Sequence, residues 1–372
     1  MKTFLRIGFI VLLATACAKN TEPELVPVYK PTPDTLEIPY GFPTRLNIPD
    51  DNPLTKEGID LGRLLFYDGR LAGRASEGKF MSCFTCHIQE NGFVIGKPRP
   101  FPVGLDGQPT RHAMLPLVNL VWNEGTYGWN GSVKSIEDDV LAVITDPTEF
   151  GSSFLAVEKA IREIPGYPVL FEKAFGTKEV TVERIAKAIA QFVRTMVSSN
   201  SKFDKYLRGE LQLTQSELNG FVLFTTEEGA DCFHCHGGSG NPLFTTNLFY
   251  NNGKDSTFAG ESDRYSVTGN ATEKGNYKAS TLRNIELTAP YMHDGRFNTL
   301  DEVIDFYAHE LVWTPYIDPL MHHIATGGNQ LVPSEKEDLK AFLMTLTDTS
   351  FIQNPAFGKP VSFPGEKTMI LK

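Results

Sequence analysis

The sequence predicts a mainly α-helical protein built as two units. Three observations predict it. A five-residue pattern, C-x-x-C-H, occurs twice, as Cys83-Phe84-Thr85-Cys86-His87 and as Cys232-Phe233-His234-Cys235-His236. Each copy follows a segment of helical character, Thr55 to Phe66 with Ile59, Leu61, Leu64 and Leu65 near one face, and Thr214 to Phe224. Strand signals are sparse, and apart from the pattern itself no period of about 20–50 residues recurs.

Taken in order, the elements begin with a leader. Lys2 and Arg6 precede the apolar run Ile7 to Leu13, and small residues follow up to Cys17. This is a secretory signal over residues 1–16, too short for a spanning helix. Ala14-Thr15-Ala16-Cys17 resembles a bacterial lipobox, which implies cleavage before Cys17 and its lipidation. A plain secretory peptide with an incidental cysteine is the alternative. Residues 17–43, rich in proline, read as a tether to a membrane surface. The first unit is expected over 44–210, the second over 211–350, and a tail over 351–372. Within them, Val182 to Val197 is a strong amphipathic helix, and Ser334 to Leu346 a second with Ser334 as N-cap. Thr299 and Glu302 form a capping box, after which Leu300, Val303, Ile304 and Tyr307 share one helix face. The net charge of −10 argues against a nucleic-acid partner.

The paired cysteines carry the chemistry. Two thiols three positions apart can each form a thioether to one porphyrin, and the adjacent histidine reaches the iron from the same side. Two copies imply two covalent haem c groups. One zinc ion held by all four thiolates is an alternative, as is a redox dithiol. The zinc reading leaves both histidines unexplained. With Cys17 assigned to the leader, none of the five cysteines remains for a disulfide.

Several stretches are specific to one family. They are LGRLLFYD (61–68), PLVNLVWN (116–123), WNGS (129–132), DPTEFG (146–151), SSNSKFDKYLRGE (198–210) and LRNIELTAPYMHDGRFNTLDEVIDFY (282–307), together with the two cysteine motifs. From about Asp60 to Thr347 the chain resembles the bacterial dihaem cytochrome c peroxidases, a family that includes the MauG-type enzymes. The resemblance implies two cytochrome c-like domains joined by long loops, each with one haem. His87 and His236 would be proximal iron ligands, the first haem meeting peroxide and the second supplying electrons. Trp129 would couple the haems, and Glu149 would handle the peroxide protons, with Asp139 in support. Without the resemblance, Trp129 is a core residue and Glu149 a solvated loop acid. Leu105 stands where many relatives carry a distal histidine, so the first haem is expected to be open on that side, with His112 the nearest histidine. Tyr307 stands where peroxidases carry a methionine; MauG-type members ligate iron through a tyrosine there, although a packed core tyrosine is the plainer reading. Calcium is implied between the domains through the carbonyls of Thr288 and Pro290, but the asparagine that completes the site in relatives is replaced in Arg111-His112. The expected activity is reduction of hydrogen peroxide with electrons from a small cytochrome c or cupredoxin. A MauG-like oxidase and a non-catalytic electron carrier are the competitors. The expected setting is the periplasm of a Gram-negative bacterium, membrane-held by the lipid anchor alone, with a second copy of the chain among the candidate partners.

Overall fold

The structure, a computed structural model, describes residues 29–96, 101–238 and 240–366; the expected leader and Cys17 lie outside the described residues. The chain is mainly helical. In the first half come α1 (Lys56–Tyr67), α2 (Ile136–Thr145), α3 (Phe154–Arg162), α4 (Tyr167–Phe175) and α5 (Val182–Arg194). Then follow α6 (Lys202–Leu207), α7 (Gln215–Phe224), α8 (Phe233–His236), α9 (Arg264–Thr268), α10 (Leu300–His309), α11 (Pro333–Met344) and α12 (Thr349–Ile352). One two-stranded antiparallel ribbon, β1 (Phe249–Tyr250) with β2 (Tyr277–Lys278), is the sheet among the described residues.

Local chemistry sets the helix starts. The Thr55 hydroxyl accepts from Gly58 N–H at 3.0 Å, and Thr214 and Thr299 open α7 and α10 with capping boxes to Glu217 and Glu302. Some boundaries differ from the sequence expectation, two of them with a clear local cause. α11 starts at Pro333 and not at Ser334: proline has no N–H to lose at the first helical position, and the Glu335 carboxylate accepts from Val332 N–H at 2.9 Å. α5 ends at Arg194 rather than Val197, because the chain tightens there, with Met196 N–H donating to the Val193 carbonyl at 3.1 Å.

Two helix crossings organise two cores. α1 packs on α5, and α7 packs on α11. Leu61, Leu65, Phe66, Ile185, Ile189 and Phe192 fill the first core, and Phe203, Phe224, Phe244, Leu339 and Phe342 the second. Phe342 alone meets the rings of Phe203, Phe221, Phe224 and Phe244 at 5.2–6.2 Å. Each such pair contributes about 0.5–1.5 kcal/mol beyond area burial. Packing does not follow the expected limits. Phe203 on α6, before residue 211, belongs to the second core, while Phe351 and Phe357 from the expected tail return to the first. Nor is the chain a free tether up to residue 43. Phe42 is buried against Trp122 (ring centroids 5.0 Å) and Leu243, and the Arg283 guanidinium lies 5.0 Å above its ring. Thr32 N–H donates to Glu57 at 2.9 Å.

The halves are related by more than the cysteine motif. Tyr127 bridges Val133 in the first half, and Tyr291 bridges Phe297 in the second. Both bridges lead into a capped helix, α2 from Ser135 and α10 from Thr299. Asn119 and Asn284 both take left-handed conformations, φ 57° and 59°, ahead of a short 3-10 turn. The equivalent positions keep a few identities, Tyr127 with Tyr291 and Asn119 with Asn284, but they are scattered and lie far beyond a period of about 20–50 residues.

Each crossing depends on a glycine. A Cβ on Gly62 would lie 1.9 Å from the Ala188 carbonyl oxygen, and one on Gly220 would lie 1.9 Å from that of Asp338. Gly62→Ala is therefore expected to force α1 off α5 and cost about 1–3 kcal/mol, the usual range for overpacking. Gly240→Ala, where an added Cβ meets nothing within 4 Å, serves as the control in denaturant unfolding. Equal midpoints for the two variants would refute the crossing argument.

Candidate functional site

The two cysteine motifs open onto two adjoining cavities. The first, of about 870 Å³, is lined by Cys83, Cys86 and His87 from below and by Ile136, Asp139, Val140 and Val143 from α2. The second, about 210 Å³, is lined by Cys232, Cys235 and His236 and by Leu300, Val303, Ile304 and Tyr307 from α10. The expected inward face of α10 is therefore the face that lines the cavity. The alternative of one zinc ion with four thiolates fails, because each motif lines its own cavity and all four cysteines are free and half-buried.

Both motif histidines are held in one orientation. His87 Nδ1 lies 2.7 Å from the Phe93 carbonyl, and His236 Nδ1 lies 3.0 Å from that of Ser280. Such a bond fixes Nδ1 as the protonated nitrogen and leaves Nε2 as a free ligand, the usual support of a metal-binding imidazole. Burial pushes both imidazoles down to about 4, so they stay neutral at physiological pH. Paired thiols, a pre-oriented neutral imidazole and a largely apolar lining fit a covalently held haem in each cavity.

Trp129 lines both cavities, and so do Met114, Leu115, Pro116 and Lys278. The Trp129 indole N–H donates to the Ala113 carbonyl at 2.8 Å, and Ala113 N–H donates to the His293 carbonyl at 2.7 Å. His293 is the second-half counterpart of Trp129, two residues beyond its bridging tyrosine, and the two rings meet edge-on at 6.4 Å. The counterpart loops thus meet at the boundary of the cavities. His112 lines the first cavity and packs edge-on against Tyr277 and His293, each at 5.9 Å.

Glu149 and Asp139 line the first cavity together. Burial, followed by the charges of Asp139 and Asp146, pushes the Glu149 carboxyl up to about 8. Burial raises Asp139 to about 6. Leu105 N–H donates to the Glu149 carbonyl at 2.8 Å, which places the 104–110 turn beside the acid, but the Leu105 side chain packs on the first core and does not line the cavity. In the second cavity the Tyr307 hydroxyl accepts from Asn252 Nδ2 at 2.9 Å, and the same amide lies 3.8 Å from Met292 sulfur. Thr288 and Pro290 line the second cavity, whereas Arg111 is exposed.

Sequence reasoning missed Lys278 and Asn252. Lys278 is buried, its ammonium donates to the Asn247 carbonyl at 3.0 Å, and burial lowers it to about 8. The signal for neither residue is local: Lys278 sits in a short strand and Asn252 in a loop, and only tertiary packing brings them to a cavity.

The comparisons with known proteins agree with this geometry. Residues 56–212 match the family model described as di-haem cytochrome c peroxidase. The chain is 35% identical over 261 residues to the cytochrome c551 peroxidase of Nitrosomonas europaea, covering 68% of this chain and 73% of that one. It is 30% identical over 335 residues to the methylamine utilization protein MauG of Methylorubrum extorquens, covering 90% and 88%. The protein belongs to the di-haem cytochrome c peroxidase family. A crystal structure of a MauG-like protein associated with microbial copper homeostasis superposes with a TM-score of 0.77 at 32% identity, over 88% of this chain and 99% of that chain. The diheme peroxidase BthA from Burkholderia thailandensis shares the fold, with a TM-score of 0.69 at 20% identity, over 89% of this chain and 100% of that chain. Members of this family are enzymes, and its di-haem character implies two haem c groups per chain. Among the described residues no helix is long and apolar enough to cross a membrane.

The roof of the first cavity is pinned by a buried ion pair. Arg194 on α5, 1% exposed, grips Glu137 on α2 through two bonds of 2.7 and 2.9 Å. Arg194→Met leaves the Glu137 carboxylate half-buried and unpaired, and a loss of about 3–5 kcal/mol is expected in chemical denaturation. A loss below about 1 kcal/mol would place the pair among the weak surface bridges.

Proposed function

We propose that the protein is a periplasmic dihaem peroxidase. One hydrogen peroxide, two protons and two electrons give two waters, with the electrons drawn from a small cytochrome c or cupredoxin. Cys83 and Cys86 would attach the first haem, with His87 as its proximal ligand. Cys232 and Cys235 would attach the second, with His236 proximal and Tyr307 distal. When bound, the haems would supply the redox chemistry, with the first cavity admitting peroxide and the second serving electron entry.

The observation that carries the reading is the difference between the two roofs. At the position where α10 presents Tyr307, α2 presents Val143, which cannot bind iron, and a half-buried acid pair lines the same cavity. A site that keeps one side free of ligand and adds an acid suits peroxide; a plain electron carrier would close both irons. Glu149 would take a proton from the near peroxide oxygen and pass it to the departing one. Burial would hold the Glu149 pKa high, with the charge of Asp139 adding to it. Trp129, lining both cavities, would couple the two redox centres. Lys278 would place a cation at their junction. Lipidation at Cys17, a calcium ion on the Thr288 and Pro290 carbonyls, and a homodimer complete the proposal. The His112 imidazole is held among aromatic rings and, unlike an asparagine side chain, has no oxygen for that calcium.

A second reading, a MauG-like oxidase that modifies a protein or organic substrate, is favoured by Tyr307. A phenol oxygen at the second iron favours its oxidised state, whereas a methionine raises the potential. The two readings then differ in how readily the second haem accepts an electron.

Three measurements test these roles. The mature protein should carry two covalent haems per chain by pyridine haemochrome assay; one haem, or haem extractable into acidified solvent, refutes the attachment. Glu149 must be ionised to accept the proton, so its reaction with peroxide should accelerate as pH rises towards about 8 and level off above it. Glu149→Gln should slow that reaction about 10²–10⁴-fold. Asp139→Asn removes a neighbouring negative charge and should shift the rise to lower pH. Stopped-flow profiles that do not differ between the wild type and these variants would exclude the acid pair from proton transfer. Finally, Tyr307→Met should raise the potential of the second haem in a redox titration. An unchanged potential and spectrum would make Tyr307 a packing residue and direct attention to Met292 and Met321, which line the same cavity.

A further inference from the structure

One group of metal-ligating side chains takes no part in the proposed peroxide chemistry. Glu227, His234 and His322 each offer a ligand atom, and these atoms lie within 4.8 Å of one another. His234 belongs to the second cysteine motif, between Cys232 and Cys235, and His322 lines the second cavity. We propose that these three residues bind a divalent transition-metal ion of the zinc and copper class at the outer edge of the second cavity.

The support comes from Asp231. Its carboxylate is 6% exposed, with one oxygen 2.6 Å from His234 Nδ1 and the other 3.1 Å from His322 Nδ1. A carboxylate facing both Nδ1 atoms makes both of them N–H donors. Each Nε2 is then left with its lone pair, the tautomer a metal requires. His234 Nε2 lies 3.5 Å from a Glu227 oxygen, and the two imidazole rings stand nearly perpendicular, 89° apart, with centroids at 4.9 Å. Ligands about 2.0–2.2 Å from a tetrahedral ion stand roughly 3.3–3.5 Å from one another, so His234 and Glu227 already have the separation such an ion imposes.

The backbone also holds the group in place. Asp231 keeps a left-handed conformation at φ 56°, which turns its side chain back between the histidines. His323 Nε2 bonds the Glu227 carbonyl at 2.7 Å, which fastens the segment carrying His322 to the segment carrying Glu227. Two imidazoles and one carboxylate suit zinc or copper and not calcium, which prefers six or more oxygens. Glu227 and His322 are 59% and 39% exposed, so water can take the fourth position. A bound ion would tie α8, the 227–231 loop and the 322–326 turn together beside the second haem motif. The inference does not depend on whether the enzyme reduces peroxide or oxidises another substrate.

Zinc is the probe. The dihaem protein is stripped with chelator, equilibrated with Zn²⁺, passed over a desalting column and analysed for zinc and iron. One zinc per two irons is expected. His322→Ala and Glu227→Gln should each weaken retention at least about 10-fold, and Asp231→Asn about 10–100-fold, the usual effect of removing an outer carboxylate. Haem content per chain controls for folding, and the exposed Glu227 variant keeps the test open if His322→Ala disturbs haem attachment. Zinc should also raise the thermal midpoint of the wild type and leave that of Glu227→Gln unchanged. Substoichiometric zinc in the wild type, or equal retention in the variants, overturns the site and leaves Asp231 a structural link between two histidines.

Discussion

The carbonyl oxygen of Ala188 occupies the place where a side chain on Gly62 would be, and that of Asp338 does the same at Gly220. Backbone contact at these two points lets α1 sink onto α5 and α7 onto α11. That closeness fixes where each following cysteine motif emerges. It also fixes the position of the opposite wall, since α2 is pinned to α5 by Arg194 and α10 packs against α11. The cavities are therefore consequences of the crossings. A crossing opened by one methyl group would move floor and roof together.

The frame is used twice, and the difference lies in what each roof presents. α2 offers Ile136, Asp139, Val140 and Val143; α10 offers Leu300, Val303, Ile304 and Tyr307. The two exchanges that matter are Asp139 against Val303 and Val143 against Tyr307. One roof has an acid and no further ligand, and the other has a phenol and no acid. A single backbone design thus yields two chemically distinct chambers. The counterpart loops carrying Trp129 and His293 meet at the boundary between them, the two rings edge to face.

Buried charges sort into two kinds. Arg194 with Glu137 and Arg283 with Asp204 are bidentate pairs, and their role is to hold elements together. Asp139, Glu149 and Lys278 have no opposite charge within ion-pair distance among the described residues, and all three line the first cavity. Unpaired burial costs stability, and the cost is expressed as carboxyls raised to about 6 and 8 and an ammonium lowered to about 8. Groups kept near their titration points inside a cavity are suited to moving protons or meeting an anionic group.

By itself the sequence determined the features that depend on near neighbours. The spacing of the cysteine motifs, the helices over residues 56–67 and 215–224, and the capping box that starts α10 all follow from residues within a few positions of one another. So did the inward direction of Tyr307, because a helical face repeats every three to four residues. Tertiary structure decided what depends on distant contacts. Proline at the first position displaced the expected start of α11, and the 32–43 segment packed where composition suggested a tether. The match between halves beyond the cysteine motif and its preceding helix became plain only in the paired bridges and left-handed turns of the backbone. Asn252, Lys278 and the group around Asp231 are set by contacts between segments remote in the chain, and Asp231 faces a histidine that lies 91 positions further on, His322. Short-range pattern is written in the order of residues, whereas the chemistry of a cavity depends on which distant segments the packed core brings together.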